Sequence, residues 1–399
     1  MAELLIRVGA QDVALTQRVL TGSAGQRPSR VVVDAHVARS APAIATAATI
    51  AGVPFLIDPQ THYFQGTQHI GDPWAQLPFA DRTLNSPDDL LRHGRVNAVA
   101  EEVIDYQLAH DASALIAPYV HIESASDGWL QVQLALWRAT RRVLDEQGVQ
   151  LPLVSVVALG WRLLDRSTWP ETLRPLRDEL ALLAPSEIAI AASKVDQGVR
   201  PDQRLAALIA VIGYFACDYP VIAWEQGALG EAAVAAGASA YETGVGWRER
   251  CDLRSSLAAH NRPPAPGGTA RPVYVDAVKR GVDKRLIRAL MNNPKIAASL
   301  TCLDSDCCPG GRFDLLGDPR QHAITARLRS LAELTQPEHP AWRWNHLAEG
   351  ARHGIELASR INRYTAGAAG VPRLSVDALR ATLVIAEHRR QTLRRLSAA

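Results

Sequence analysis

The sequence is short of most features that announce a specialised class of protein. Of its 399 residues only two are Met, five Phe and five Cys, and three of the cysteines fall between Cys302 and Cys308. A set so small and uneven excludes the dispersed disulfide framework of a small secreted domain. No stretch reaches the ~18 consecutive apolar residues of a membrane-spanning helix. The opening MAELLIRVGAQDVALTQ has no basic segment leading into an apolar one, so the chain is expected in the cytoplasm. Neither sign of charge dominates: 43 Lys and Arg stand against 41 Asp and Glu, a net +2. That excludes a strongly basic protein while leaving room for a local basic face. Short-period repeats and low-complexity tracts are absent. No glycine occurs in VVVDAHVARSAPA from Val31, which removes the dinucleotide fingerprint of an open doubly wound sheet.

What is present is a globular composition, 47% hydrophobic and 21% charged, on a chain long enough for a large core. Eight apolar runs of strand length begin at Val31, Pro54, Ala114, Leu151, Glu187, Pro220, Ser239 and Pro272. Amphipathic stretches of helical length alternate with them, among them 87–110, 129–147, 203–217 and 248–260. Near-continuous apolar strands joined by helices imply a parallel sheet covered on both faces, and eight units in series favour closure into a (β/α)8 TIM barrel. The expected division is a barrel over 1–300, a zinc-binding segment over 301–335 and a C-terminal helical region over 336–399. Two long loops stand out. Residues 64–87 have the size of a lid or substrate-binding insertion, and 261–271 read as a turn-rich insertion.

The segment CLDSDCCPGGRFDLLGDPRQH from Cys302 has the make-up of a metal clip. Zinc takes four soft or borderline ligands in a tetrahedron, and Cys302, Cys307, Cys308 and His322 supply three thiolates and an imidazole around a Pro-Gly-Gly turn. A closed set leaves no position for an activated water, so the zinc is expected to be structural.

In a barrel, chemistry gathers at the carboxyl ends of the strands. There the sequence offers Asp34 and His36, Asp58, Gln60 and His62, His121 and Glu123, Lys194, Glu225 and Gln226, Glu242 and Thr243, and Asp276. Some of these are expected to be helix caps or packing residues; an Asp closing a strand often caps the next helix. The seventh run passes into Gly244-Val245-Gly246, where a ligand could approach the backbone and helix N-terminal amides could face it.

Together these residues resemble the tRNA-guanine transglycosylase superfamily, including its DNA-acting relatives. YETGVGWRERCDL from Tyr241 is similar to that family's strand ending in a Gly-Val-Gly turn. PFLIDPQTHYF around Asp58 is similar to the early strand that carries its general acid/base. The Cys-Cys-Cys-His segment resembles its structural zinc site. The resemblance implies exchange of guanine for a 7-deazaguanine-type base in nucleic acid through a covalent intermediate. Asp276 is then the nucleophile and Asp58 the proton carrier, with His62, Gln60, Glu225, Glu242, Gly244 and Gly246 binding substrate. The implied partners are nucleic acid, tRNA or DNA, and a small base, with no membrane; a homodimer is allowed.

Two other classes compete. A metal-dependent barrel hydrolase would bring His36, His62, His121 and Asp276 onto an open metal site. An inactive barrel would serve as a binding scaffold, its strand-end polar residues being caps.

Overall fold

The computed structural model describes the chain except for residues 1, 23–25, 67–70, 82, 93, 247, 261, 263–270, 368–370, 398 and 399, and the side chains of 394–397. Nine parallel strand segments make one sheet: β1 (Glu3–Val8), β2 (Arg30–Asp34), β3 (Phe55–Asp58), β4 (Leu115–Ile116), β5 (His121–Ile122), β6 (Leu153–Gly160), β7 (Glu187–Ser193), β8 (Val221–Ala223) and β9 (Ala240–Gly244). The hydrogen-bonded order is β3-β2-β1-β9-β8-β7-β6-β4, and β4 and β5 share one position beside β6. A parallel bridge between Leu56 and Ala114 joins β3 to the β4 position. The result is an eight-position (β/α)8 barrel with helices between successive strands.

Side-chain alternation explains both its layers. On β1, Leu4, Ile6 and Val8 belong to the large core between strands and helices, while Leu5 joins Val32, Leu56, Ile116, Val156, Ile222 and Ala240 in the barrel interior. Because strand side chains alternate with period two, the residue two positions beyond each interior residue also faces the axis, one layer nearer the carboxyl end. Those positions include Arg7, Asp34, Asp58, Trp224 and Glu242, with Ala158 after Val156. The top of the barrel interior is therefore charged, and its floor is aliphatic.

Two expectations change here. The opening segment ELLIRV is the first barrel strand, pairing with β2 on one side and β9 on the other. The run at Pro272 is not the eighth. It forms β10 (Val273–Val275), which pairs antiparallel with β11 (Arg280–Val282) in a separate two-stranded sheet. Barrel strands thus end at Gly244, and the expected boundary at 300 falls too late. Val273, Val275, Ile287 and Leu300 share a second core with Cys302, Cys307, Cys308, Leu357 and Ile361.

The C-terminal helices are Pro319–Thr335, Pro340–Tyr364 and Asp377–Ser397. The first two insert Ile324, Leu331, Trp344 and Leu347 into the barrel's outer core, which ties the second core to the barrel. Gly354 marks the tightest approach: a Cβ there would lie 2.1 Å from the Ala277 carbonyl oxygen, so only glycine lets that helix press on the β10–β11 turn.

Candidate functional site

Arg7 is fully buried and organises the top layer. Its Nη1 donates to Asp34 Oδ1 at 2.7 Å and lies 2.8 Å from Asp58 Oδ2. Its Nε donates to Glu242 Oε1 at 3.0 Å, and Nη2 is 3.8 Å from Glu225 Oε1. The guanidinium also stands over the Trp224 ring, 5.2 Å from its centroid. A second base enters from the loop after β9, where Arg248 Nη1 reaches Asp34 Oδ1 at 2.7 Å. Two guanidiniums thus stand among four carboxyl groups contributed by β2, β3, β9 and the loop after β8.

The carboxyl groups are not equivalent. Burial would raise Asp34, but Arg248 and Arg7 outweigh it and hold its carboxyl at about 2. Burial pushes Glu225 up to about 7 despite the pull of Arg7 and Arg248. Glu242 is also raised by burial; its Oε2 accepts the Glu225 backbone N–H at 2.8 Å, leaving it engaged on both oxygens. Asp58 is engaged still more fully. Tyr119 donates its hydroxyl to Oδ1 at 3.1 Å, the Gln60 N–H donates to the same oxygen at 2.9 Å, and Arg7 holds Oδ2.

Around this cluster, buried polar atoms without a hydrogen-bond partner accumulate: Arg7 Nη2, Asp34 Oδ2, His36 Nδ1, Gln60 Oε1, His121 Nε2 and both ring nitrogens of His62. His62 stacks on Tyr119, centroids 5.5 Å apart, and burial, with His121 and Arg248 nearby, holds it neutral. The backbone is strained at the same place. Gln60, Lys194, Glu225 and Arg248, all just past barrel strands, have φ between 50° and 62°, a region unfavourable to non-glycine residues. Unpaired polar atoms and left-handed non-glycine residues at one rim are the marks of a site that meets a polar ligand.

Asp58, Glu225, Glu242, Gln60 and His62 therefore meet at the mouth of the barrel. Asp276 does not. It opens the turn after β10, its Oδ1 accepts from Lys279 Nζ at 2.8 Å, and it lines a separate cavity of about 320 Å³ with Glu231, Ser330 and His346. As its strand is outside the barrel, its expected place beside Asp58 is corrected. The Gly-Val-Gly turn also differs from expectation. Among the described residues no helix starts there; the next runs Leu253–His260, and the Gly244 N–H donates to the Arg248 carbonyl at 3.1 Å. Gly246, with φ +76°, allows the bend that returns Arg248 to Asp34. The insertion at 64–87 is pinned rather than loose where described: the Trp74 indole N–H donates to the Pro59 carbonyl at 2.8 Å, and its ring packs edge-on to Tyr63, Phe64 and Phe79. Residues 261 and 263–270 of the second loop lie outside the described residues.

Arg7 and Arg248 were not anticipated. Arg7 is the one buried charge in a strand that is otherwise apolar after Glu3, and four acids converging on one barrel end require a buried counter-charge.

The second centre is the clip. Cys302, Cys307, Cys308 and His322 are buried, and their ligand atoms all lie within 4.8 Å of one another. Cys307 Sγ is 3.8 Å from Cys308 Sγ; His322 Nδ1 is 3.3 Å from the first sulfur and 3.6 Å from the second. A tetrahedron with metal–sulfur bonds near 2.3 Å has S···S edges of about 3.8 Å and S···N edges of about 3.6 Å, so the residues fit a metal ion. His322 Nε2 is 3.2 Å from the Tyr274 carbonyl oxygen, the arrangement that leaves Nδ1 free to ligate. Among the described residues this is the one convergent set of His, Cys and acidic ligand atoms, so the histidines expected of a hydrolase do not meet in such a set.

The fold and site define a (β/α)8 barrel with a charged mouth and an appended site able to hold a metal. No protein-family model matches the chain, and no curated protein does. Among solved structures it is similar to a thiamine phosphate pyrophosphorylase from Pyrococcus furiosus, at 10% identity over 64% of this chain and 92% of that one, TM-score 0.31. It is also similar to xylanase B from Clostridium stercorarium F9, at 11% identity over 61% of this chain and 85% of that one, TM-score 0.38. Likeness of this degree carries no argument about activity; the barrel rests on its own strand pairing. Among the described residues no helix is long and apolar enough to cross a membrane.

Proposed function

We propose that the chain is an enzyme that exchanges a guanine for a 7-deazaguanine-type base in nucleic acid, with its reacting groups at the barrel mouth. What supports this reading is the placing of two carboxyl groups around the same guanidiniums: Asp34 bonded by Arg7 and Arg248 at 2.7 Å each, which holds it low, and Glu225 3.8 Å from Arg7 and buried, which raises it. Displacement at a glycosidic carbon needs one ionised carboxylate and one that can carry a proton, and environments that push two such groups apart assign the roles. Asp34 Oδ2, unpartnered and ionised, attacks the anomeric carbon while the carbon–nitrogen bond to guanine breaks and Glu225 gives the leaving base its proton. The incoming base then returns a proton to Glu225 as its nitrogen displaces Asp34, so carboxylate and acid are both regenerated.

Asp58, engaged on both oxygens, positions Arg7 and Tyr119 rather than carrying the proton. The unpaired atoms of His62 and Gln60 suit the polar edge of a heterocycle, with Tyr119 beneath. Zinc is the metal proposed for the clip, because three thiolates and an imidazole in a closed set match its softness and geometry. Cysteines that stay as free thiols until a metal binds suit a reducing cytoplasm. The polymer is tRNA or DNA. Incubation of the purified protein with labelled guanine and guanine-containing RNA and DNA oligonucleotides tests the proposal. Time-dependent incorporation of label into one polymer is expected, and no incorporation into either refutes it.

A further inference from the structure

On the same rim of the barrel, beyond the ends of β6 and β7, lies a groove of about 430 Å³ that the reaction scheme above does not use. Its centre is Trp161, in the turn Trp161–Leu164 directly after β6. Two guanidiniums stand over this one indole: Arg204 at 3.8 Å from the ring centroid and Arg162 at 5.2 Å. Arg204 is fixed by donating Nη1 to the carbonyls of Lys194, at 2.8 Å, and Gln197, at 2.5 Å, so its position belongs to the loop after β7. Burial and the charge of Arg162 lower its pKa, as expected where two cations are brought together without a counter-ion.

Compensation is scarce. Arg162 is exposed, and its nearest carboxylate, on Glu123, is 4.0 Å away. Arg200 lines the groove and is exposed, and among the described residues neither it nor Arg204 has a carboxylate within ion-pair distance. Asp165, also in the groove, is engaged by the Ser167 N–H and hydroxyl at 2.9 and 2.6 Å. Val199 at the lip is 96% exposed, leaving an apolar contact beside the cations.

We infer that this groove binds the phosphodiester strand of a single-stranded nucleic acid, with the guanidiniums of Arg162, Arg200 and Arg204 on phosphates and a base against Trp161 and Val199. Cations held on an aromatic platform in an open groove are the arrangement that follows a flexible strand, since every base has a π-face and every linkage a negative charge. Its place at the carboxyl ends of β6 and β7 puts it on the same rim as Glu225, so a strand lying in it would present a neighbouring nucleotide to the mouth. This rests on the proposed function for its purpose but not for its test.

The test is binding of a fluorescently labelled single-stranded oligonucleotide of about 12 nucleotides, titrated at several salt concentrations from about 50 mM upward. The exposed pair Arg162→Glu/Arg200→Glu should weaken binding at least tenfold and flatten the dependence of log affinity on log salt by about 1.4, roughly 0.7 for each lost phosphate contact. Trp161→Ala should weaken binding about tenfold with little change of slope. The control Arg360→Glu/Arg363→Glu, on the exposed side of the helix Pro340–Tyr364, should shift affinity less than threefold. Groove variants that bind as the parent does, a control that loses as much, or a parent that binds no strand at low salt would each overturn the groove. A parent that binds through the groove yet exchanges no guanine would overturn the proposed reaction and leave the groove standing.

Discussion

Two basic side chains in this molecule sit among carboxylates, Arg7 on the barrel axis and Lys279 in the turn between β10 and β11, and they differ in what is left over. Lys279 Nζ donates to Asp276 at 2.8 Å, Glu231 at 3.0 Å and Ser330 at 2.6 Å, which uses its three donors. The arrangement is closed, and it fastens the hairpin to the barrel helix carrying Glu231 and to the helix Pro319–Thr335. Arg7 faces four carboxyl groups, yet its Nη2 and Asp34 Oδ2 make no hydrogen bond, and Glu225 sits at the edge of ion-pair contact at 3.8 Å. A buried polar network with members to spare costs stability, and it persists where those members meet a ligand. Complete pairing therefore marks a fastening, and incomplete pairing at a rim marks a site.

The largest effect is expected at the clip beside the hairpin. Stripping the metal, or replacing Cys307 with Ser, should unfold the second core while the barrel persists, because the three cysteine ligands are packed within that core. Elemental analysis should find about one zinc per chain, and limited proteolysis of the stripped protein should cut first within 273–317. A metal-free protein with unchanged resistance would show that this core does not depend on the clip.

Arg7→Met should destabilise the protein by about 3–5 kcal/mol, since it strands Asp58 and Glu242 as buried carboxylates without their cation. Lys279→Met should cost less, about 1–2 kcal/mol, because its partner Asp276 is part-exposed and screened by water. Urea unfolding of the two variants measures both; equal costs would remove the distinction between the clusters.

A finer effect lies in the pH dependence of stability. In the folded chain Glu225 keeps its proton up to about pH 7, whereas its ordinary value is 4.5. Between these limits the native state binds more protons than the unfolded one, so this group's contribution is fully present below pH 4.5 and is lost as pH rises through 7. Glu225→Gln should flatten the decline of stability over that window. A variant that keeps the parental slope would place the shifted proton elsewhere.

Much of this architecture was legible because strand and helix periods differ. Seven of the eight barrel positions appear as apolar runs, and the helix at Trp129–Gln147 matches its amphipathic stretch. The misplaced eighth has a physical cause. VYVDAV and ELLIRV have the same short apolar character, and burial on both faces leaves no alternation to tell a barrel strand from a hairpin strand. The distinguishing signal was distance along the chain. Val275 and Arg280 are too close for a parallel crossover and suit only an antiparallel pair. The clip was legible because its ligands lie within one segment. The mouth was legible in its acids, Gln60 and His62 but not in its cations: Arg7 is hidden in a strand, and Arg248 reaches Asp34 through a bend that depends on Gly246.

The reacting carboxyl groups are proposed to lie at the barrel mouth and not on the hairpin. Guanine exchange measured side by side for Glu225→Gln and Asp276→Asn tests it most directly. The first is expected to lower turnover by about 10²–10⁴, the range of a lost general acid, while the second stays within about twofold of the parent. Turnover abolished by Asp276→Asn and retained by Glu225→Gln would contradict it.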